Sequence, residues 1–161
     1  MVPLSFAQAR LWFLNKIERN ASYHVPLLLR LRGAVDVEAL RAALRDVLDR
    51  HEPLRTVFPE TGGVPEQRVL DDIAFDVPLA DCGADGLDAQ VRAFAAPPFD
   101  LAAELPVRAT LFRTGPAEHA LLVVMHHIAS DGWSTGVLVR EFSQLYESYS
   151  QGQASALAEL A

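Results

Sequence analysis

Apolar residues recur at helical spacing in four stretches of the chain. "SFAQARLWFLNKIE" begins with a serine and has a glutamine three positions later, a capping box that predicts a helix over residues 5–17. "DVEALRAALRDVLDRHE" has an apolar stripe opposite a charged face, which predicts the clearest helix, with Asp36 as its N-cap. "DGLDAQVRAFAAPPFD" predicts a helix that ends at its two prolines. The last helix is expected from Gly132 or Trp133 to near Gly152.

Other stretches have the pattern of β-strands. "YHVPLLLRLRG" alternates, and Pro26 indicates an edge strand or a strand start. Hairpins are expected around residues 61–63 and at residues 115–116. "ALLVVM" (120–125) is apolar at every position, which predicts a central strand covered on both faces. This order of elements predicts an α/β chain of the two-layer α+β kind, with helices packed on a mixed, largely antiparallel sheet.

Composition and charge limit the partners that the chain can have. It has 161 residues, 50% of them hydrophobic, and both values are typical of a globular unit of domain size. Its net charge is −7. An acidic chain is not expected to bind nucleic acid or an anionic membrane. The longest apolar run is too short to span a bilayer, and the first residues lack the pattern of a secretory signal. Cys82 is the single cysteine, so no internal disulfide can form, and we expect a cytoplasmic protein.

The most titratable side chains directly follow the apolar strand. In "MHHIASDGWS" (125–134), His126 and His127 end the strand, and Asp131 and Gly132 precede the last helix. A loop between rigid elements is a favoured place for catalysis, and a helix start offers N–H groups to a developing oxyanion. His127 is a candidate acid or base because imidazole titrates near neutral pH. Asp131 could orient His127, pair with an arginine or simply cap the helix, and Gly132 would let a substrate approach the backbone.

Two other kinds of site are disfavoured. A metal site would need further ligands at supporting spacing, and no cysteine supplies one. The remaining histidines are scattered along the chain: His24, His51 and His119. A relay of Ser130, His127 and Asp131 is disfavoured because residues so close on one tight loop rarely align as nucleophile, base and orienter. If His127 is a base, we expect the nucleophile to belong to a substrate.

Three segments together resemble the first three core motifs of the condensation domain of nonribosomal peptide synthetases. They are "SFAQARLWFL" (5–14), "RHEPLRTVF" (50–58) and "MHHIASDGWS" (125–134), and the third fits the family's His-His-x-x-x-Asp-Gly signature at every fixed position. The resemblance implies one half of the chloramphenicol-acetyltransferase-like fold, in which a catalytic tunnel runs between two similar halves. It also implies amide-bond formation between an acyl or peptidyl thioester and a free amine. Upstream and downstream carrier proteins deliver these substrates on phosphopantetheine arms, and the domain itself binds no cofactor.

The resemblance assigns roles to the residues of the third motif. His127 matches the family's essential second histidine, which acts as a base or positions the amine. His126 matches the first histidine, which is structural. Gly132 matches the glycine beside the attacked carbonyl. These three residues, together with Asp131, form the expected catalytic set.

Other residues are expected to support that set. Asp131 matches an aspartate whose salt bridge shapes the site, and Arg55, or else Arg50, is the candidate partner. Trp133 and Ser134 are expected to pack against and cap the last helix. Three large aromatic residues are expected in the core rather than at the substrate: Trp12, Phe13 and Phe58.

Family members are longer than this chain, which predicts an N-terminal subdomain over 1–152 and the start of a linker at 153–161. We expect the C-terminal subdomain to be missing and the chain alone to be inactive. We also expect its uncovered face to give weak self-association, as a homodimer. An epimerisation domain carries the same signature and stays open as an alternative. A non-catalytic module that docks carrier proteins or enzymes also stays open, although such relatives tend to lose the histidines. The first and third motifs favour the subtype that takes a D-configured donor.

Overall fold

The computed structural model of the protein describes residues 2–155 and 157–158, apart from the side chain of Trp133. The described residues form four α-helices and eight strands, with short 3₁₀ turns at Glu52–Arg55 and Ala84–Gly86. The helices are Phe6–Glu18 (α1), Val37–Arg50 (α2), Leu87–Ala95 (α3) and Gly132–Ser150 (α4). The strands are Val2–Pro3 (β1), His24–Arg32 (β2), Thr56–Val57 (β3), Glu60–Thr61 (β4), Val64–Val69 (β5), Leu79–Asp81 (β6), Val107–Gly115 (β7) and Glu118–His126 (β8).

The main sheet has the strand order β2-β8-β7-β6. β8 is antiparallel to both of its neighbours, whereas β6 pairs with β7 in parallel. Every residue of β8 after Glu118 is buried, which confirms the predicted central strand covered on both faces. Pro26 lies in β2, at the edge of this sheet, where the missing N–H can face away from the ladder. The mixed, largely antiparallel sheet with packed helices confirms the predicted α+β fold class.

A smaller sheet is built around β5, which pairs antiparallel with β1, β3 and β4. The turn from β4 to β5 consists of Gly62 and Gly63, whose φ angles are 61° and 85°. Two successive positive φ angles belong to the tight hairpin turns that favour glycine, since a side chain would be strained there. The predicted hairpin at residues 61–63 is confirmed.

Helices cover both faces of the main sheet. α2 and α4 pack together on one face, where the predicted stripe of α2 is buried against β7 and β8, apart from the half-buried Val37 at its start. The other face is covered by α3, by α1 in part, and by the segment around Phe58 and Phe99. The buried residues of the α2 stripe are Leu40, Leu44, Val47 and Leu48. This packing fixes the end of β8 between two apolar layers, and the candidate site begins there.

The helix starts at α1 and α2 follow the predicted caps. Ser5 accepts a hydrogen bond from the backbone N–H of Gln8, and the Gln8 side chain accepts one from the backbone N–H of Ser5, so the capping box is present. Asp36 accepts from the backbone N–H of Ala39 at 3.0 Å. In the described part of the chain, no helix is long and apolar enough to cross a membrane.

α1 is not the core helix that its apolar spacing indicates. Within α1, which is described in full, no residue is buried, and Phe6, Phe13 and Ile17 are exposed. The prediction that Phe13 belongs to the core is therefore wrong. Phe58 is buried as predicted, and the half-buried Trp12 donates its indole N–H to the Phe58 carbonyl at 3.1 Å. Helical spacing identifies an apolar face, but it does not show whether this chain covers that face.

Candidate active site

The histidine loop, residues 127–131, joins the end of β8 to the start of α4. Hydrogen bonds to the neighbouring backbone hold it in place. The N–H of His127 donates to the carbonyl of Tyr23 at 2.8 Å, just before β2 begins. The hydroxyl of Ser130 is buried and donates back to the carbonyl of His126 at 3.3 Å. The loop is thus hydrogen-bonded to the residue before β2 and to the last residue of β8.

The imidazole of His127 is exposed, and one of its nitrogens is fixed by the loop itself. Nδ1 lies 2.7 Å from the carbonyl oxygen of Ser130. Because a carbonyl oxygen only accepts, Nδ1 carries the proton, and the neutral ring keeps its lone pair on Nε2. The loop therefore presents Nε2 as the atom that can accept a proton or a hydrogen bond.

The neighbouring imidazole of His126 lies in a different environment, with only 1% of the residue exposed. Its Nδ1 accepts the N–H of Ile128 at 3.0 Å. Burial, with smaller contributions from His24 and His127, lowers the pKa of His126 to about 4. The ring is therefore neutral at physiological pH, and its contacts are those of a structural residue.

Asp131 and Ser134 build the start of α4. The Asp131 carboxylate accepts from the backbone N–H of Ser134 at 2.8 Å and from its hydroxyl at 2.7 Å. Of the roles considered for Asp131, the helix cap is therefore present. A Cβ atom added to Gly132 would meet no described protein atom within 4 Å, so the space beside it is open. The packing expected of Trp133 concerns a side chain outside the described residues.

The two candidate arginines bind elsewhere in the contacts that the structure describes. Arg55 donates to the carbonyls of Leu70 at 2.8 Å and of Asp49 at 3.1 Å, and it anchors the 3₁₀ turn after α2. The nearest acidic partners described for Arg55 are also in that region: Glu52 and Asp71. The contacts described for Arg55 do not include Asp131.

Arg50 belongs to a partly buried network that the sequence interpretation missed. Its Nε lies 3.3 Å from the carboxylate of Glu141, and His51 contacts the same carboxylate at 2.5 Å. The network links the end of α2 to the middle of α4.

A cavity of about 120 Å³ lies between this network and the histidine loop. Its lining includes His51, Leu54, Met125, Ser130, Ser134 and Leu138. Glu141 was detectable as a carboxylate between the apolar residues of the last helix.

His24 is a second residue that the sequence interpretation left out of the site. It begins β2 directly opposite His126 in the antiparallel register, and the two ring centroids are 6.1 Å apart. Strand pairing, which the sequence does not specify, brings these histidines together. Among the described residues, no group of three or more His, Cys, Asp or Glu side chains is arranged to hold a metal ion.

The comparisons with known proteins agree with this architecture. The family model of the condensation domain matches residues 1–161. The chain belongs to the condensation domain family. It is 52% identical over 161 residues to CymA of Salinispora arenicola, and the match covers 99% of the chain but 2% of that protein. It is 47% identical over 165 residues to the isonitrile lipopeptide synthase of Mycobacterium tuberculosis, with 99% and 7% covered. The chain thus spans only a small part of the length of these curated relatives.

Solved structures show the same fold. The X-domain in its complex with OxyB from teicoplanin biosynthesis has a TM-score of 0.93 and 37% identity, with 99% of this chain and 35% of that chain covered. The starter condensation domain of the rhizomide synthetase RzmA has a TM-score of 0.90, with 99% and 40% covered. Its identity of 23% supports the fold alone.

Proposed function

We propose that the chain is the N-terminal, motif-bearing half of a condensation domain of a nonribosomal peptide synthetase. The reaction joins a carrier-bound acyl or peptidyl thioester to the amine of a carrier-bound aminoacyl group. Support comes from the family match over the whole chain, from the complete His-His-x-x-x-Asp-Gly signature, and from the 35% share of the X-domain chain that the match covers. Residues 1–152 would form the subdomain, and 153–161 would begin a linker. Residues 156 and 159–161 of that segment lie outside the described structure.

The contact that carries this proposal is the one between His127 Nδ1 and the Ser130 carbonyl, at 2.7 Å. It leaves the Nε2 lone pair for the incoming amine. The amine nitrogen attacks the thioester carbonyl, the C–N bond forms and the C–S bond breaks. Nε2 takes the proton that the amine loses and returns it to the departing thiolate. The same atom could instead position the amine by accepting its hydrogen bond, so both family roles use one geometry.

The start of α4 would stabilise the charge that develops on the attacked carbonyl. A helix N-terminus carries partial positive charge, and Asp131 with Ser134 fixes where this helix begins. The open space beside Gly132 would admit the carbonyl to the backbone. Truncation of His127 removes the proton acceptor but leaves this helix start in place, so some rate enhancement by the helix should survive.

The partners follow from the same proposal. Upstream and downstream carrier proteins bring the substrates on phosphopantetheine arms, and the domain holds no cofactor of its own. We place the protein in the cytoplasm. Residues 1–161 alone would lack the second wall of the tunnel and would not turn over, because neither arm would be aligned or shielded from water.

The uncovered face of α1 would meet the second half of the domain or a second copy of the chain. Phe6, Phe13 and Ile17 are 100%, 56% and 63% exposed, which is unusual for three large apolar residues on one helix. In the isolated chain we propose weak self-association through this face. Sedimentation at increasing concentration tests the proposal. Phe13→Ser should reduce the association, and an unchanged profile would contradict this assignment of the interface.

A transfer assay tests the proposed reaction in the intact native protein. Donor and acceptor carriers are loaded, with the donor in D and in L configuration, and the thioester-bound product is identified by mass spectrometry and chiral analysis. An amide product that forms much more slowly in His127→Ala supports condensation. Epimerised aminoacyl thioester without amide would favour the epimerisation alternative. A faster reaction of the D donor would support the expected donor subtype.

A docking module is the second candidate, and one observation favours it. The X-domain is similar to this chain at 37% identity, and its structure is a complex with OxyB. A docking role requires the surface of the domain but not the histidine loop. It therefore predicts that the native protein binds its partner enzyme equally well with and without His127→Ala, and that it makes no amide product.

A further inference from the structure

Two histidines, the half-buried His24 and the buried His126, are neighbours on adjacent strands of the main sheet at the base of the histidine loop. His24 and His126 are register partners in β2 and β8. Their ring centroids are 6.1 Å apart, and the planes are inclined by 66°. Phe99 contacts both rings, with centroid distances of 4.9 Å to His24 and 6.1 Å to His126. The pair therefore packs against an aromatic ring with both Nε2 atoms shielded from solvent, and unpaired polar atoms are costly in such a place.

The hydrogen bonds of each ring fix where its proton lies. His126 Nδ1 accepts the N–H of Ile128 at 3.0 Å, so the neutral ring carries its proton on Nε2. His24 Nδ1 lies 2.7 Å from the carbonyl oxygen of Ala95, so it carries the proton and Nε2 is the acceptor. Both Nε2 atoms are buried without a partner among the described protein atoms. One donor and one acceptor are thus left over on adjacent rings.

Burial keeps both rings in these neutral forms, and the surrounding charges add to its effect. Burial lowers the pKa of His24 most, the bond to the Ala95 carbonyl opposes this, and the guanidinium group of Arg108 lowers the pKa further by a smaller amount. Arg108 comes from β7, lies 4.3 Å from the centre of the Phe99 ring and donates to the Pro97 carbonyl. On the side of His126, His24 and His127 both disfavour its protonated form, and the ring of Tyr23 lies 6.3 Å away. The donor and acceptor assignments therefore hold at neutral pH.

We propose that one ordered water joins Nε2–H of His126 to Nε2 of His24, and that His24 is thereby a positioning residue for the histidine loop. A direct bond between nitrogens needs a separation of about 3 Å, which rings with centroids 6.1 Å apart cannot reach. A single water makes one bond to each nitrogen and suits a buried polar gap.

This link would hold the loop through the tautomer of His126. If His126 carried its proton on Nδ1, that N–H would point at the N–H of Ile128, and the first turn of the loop would be disrupted. The water accepts from His126 Nε2 and donates to His24 Nε2, so it favours the tautomer that accepts from Ile128. Ile128 directly follows His127. The effect on catalysis rests on the proposed function, but the water and the tautomer do not.

The test combines a crystal structure of the native protein at high resolution with transfer kinetics on loaded carriers. We expect density for one water within hydrogen-bond distance of both Nε2 atoms. We expect His24→Phe to lower kcat by up to about 100-fold, the scale that follows from small misplacement of a catalytic group, with KM for either carrier unchanged. His24→Gln keeps an acceptor and should recover most of the lost rate.

His119→Phe is the matched control, since His119 is also a buried histidine of β8 with an unpartnered nitrogen, at the opposite end of the strand. It should leave kcat unchanged. An empty gap between the rings, an unchanged kcat in His24→Phe, or equal losses in the Phe and Gln variants of His24 would overturn the proposal. Full activity of His127→Ala would instead overturn the proposed function and leave the water to be judged from the density.

Discussion

The carboxylate of Asp131 accepts two hydrogen bonds from Ser134, from the backbone N–H at 2.8 Å and from the hydroxyl at 2.7 Å. It therefore fixes the first turn of α4, directly after the histidine loop. Asp36 caps α2 through the N–H of Ala39 at 3.0 Å. Asp36 lies away from the candidate site. Its backbone N–H donates to the hydroxyl of Tyr146, near the far end of α4. Two of the described helices thus begin at an aspartate cap, and one of these caps adjoins the candidate site.

Replacement of these caps should separate stability from activity. Asp131→Ala and Asp36→Ala should each lower the free energy of unfolding by about 1 kcal/mol, because a helix N–H loses its acceptor. Only Asp131→Ala should also slow amide formation, since it releases the helix start beside His127. Urea unfolding and initial transfer rates measure the two effects. Equal activity in both variants would show that the Asp131 cap has no role beyond stability.

The Glu141 carboxylate should be one of the most costly side chains to remove. It is 10% exposed and pairs with Arg50 and His51, so Glu141→Ala leaves a partly buried guanidinium group without its partner. We expect a loss of about 3 kcal/mol in the free energy of unfolding, the lower end for a broken buried pair. Glu147→Ala, on the exposed face of the same helix, should change it by less than about 0.5 kcal/mol. Similar values for the two variants would contradict the assigned network.

Stability should fall as pH is lowered, because His126 stays neutral in the folded chain. Its pKa is lowered from 6.5 to about 4 by burial, so between these values the unfolded chain takes up a proton that the folded chain does not. The free energy of unfolding should therefore decrease from pH 6.5 towards about 4, by at most about 3 kcal/mol from this residue, and then level off.

His126→Asn provides the comparison, since an amide can accept from Ile128 but does not titrate in this range. Urea unfolding across the pH window should give a flatter profile for this variant than for the native protein. The lowered pKa of His24 acts in the same direction and should remain visible in both. Parallel profiles would show that His126 is not the group responsible.

Most of the fold could be predicted because its signals are local. The stripe of α2, the all-apolar run of β8 and the paired glycines of the first hairpin each specify an element from neighbouring residues. The position of His127 after a buried strand was likewise readable from one short motif. The exposed face of α1 was not, because the same spacing occurs whether or not a partner covers the helix.

The contacts around the site could not be predicted because they depend on packing between distant segments. Arg50 and Glu141 are 91 positions apart, and α2 must pack against α4 before they meet. His24 reaches His126 only through the register of β2 and β8. Arg55 has several acceptors within reach, and it donates to the backbone carbonyls of Asp49 and Leu70. Residue types alone do not determine which acceptors it binds.

The most direct test of the account is the rate of single-turnover amide formation by His127→Asn in the intact native protein. Asparagine can still donate to the Ser130 carbonyl from the position of Nδ1, but it has no basic nitrogen at the position of Nε2. We therefore predict a free energy of unfolding within about 0.5 kcal/mol of the native value. We predict a rate lower by about 10²- to 10⁴-fold, the usual contribution of a general base. A rate close to that of the native protein, with loaded donor and acceptor carriers, would contradict the assignment of His127 Nε2 as the group that acts on the amine.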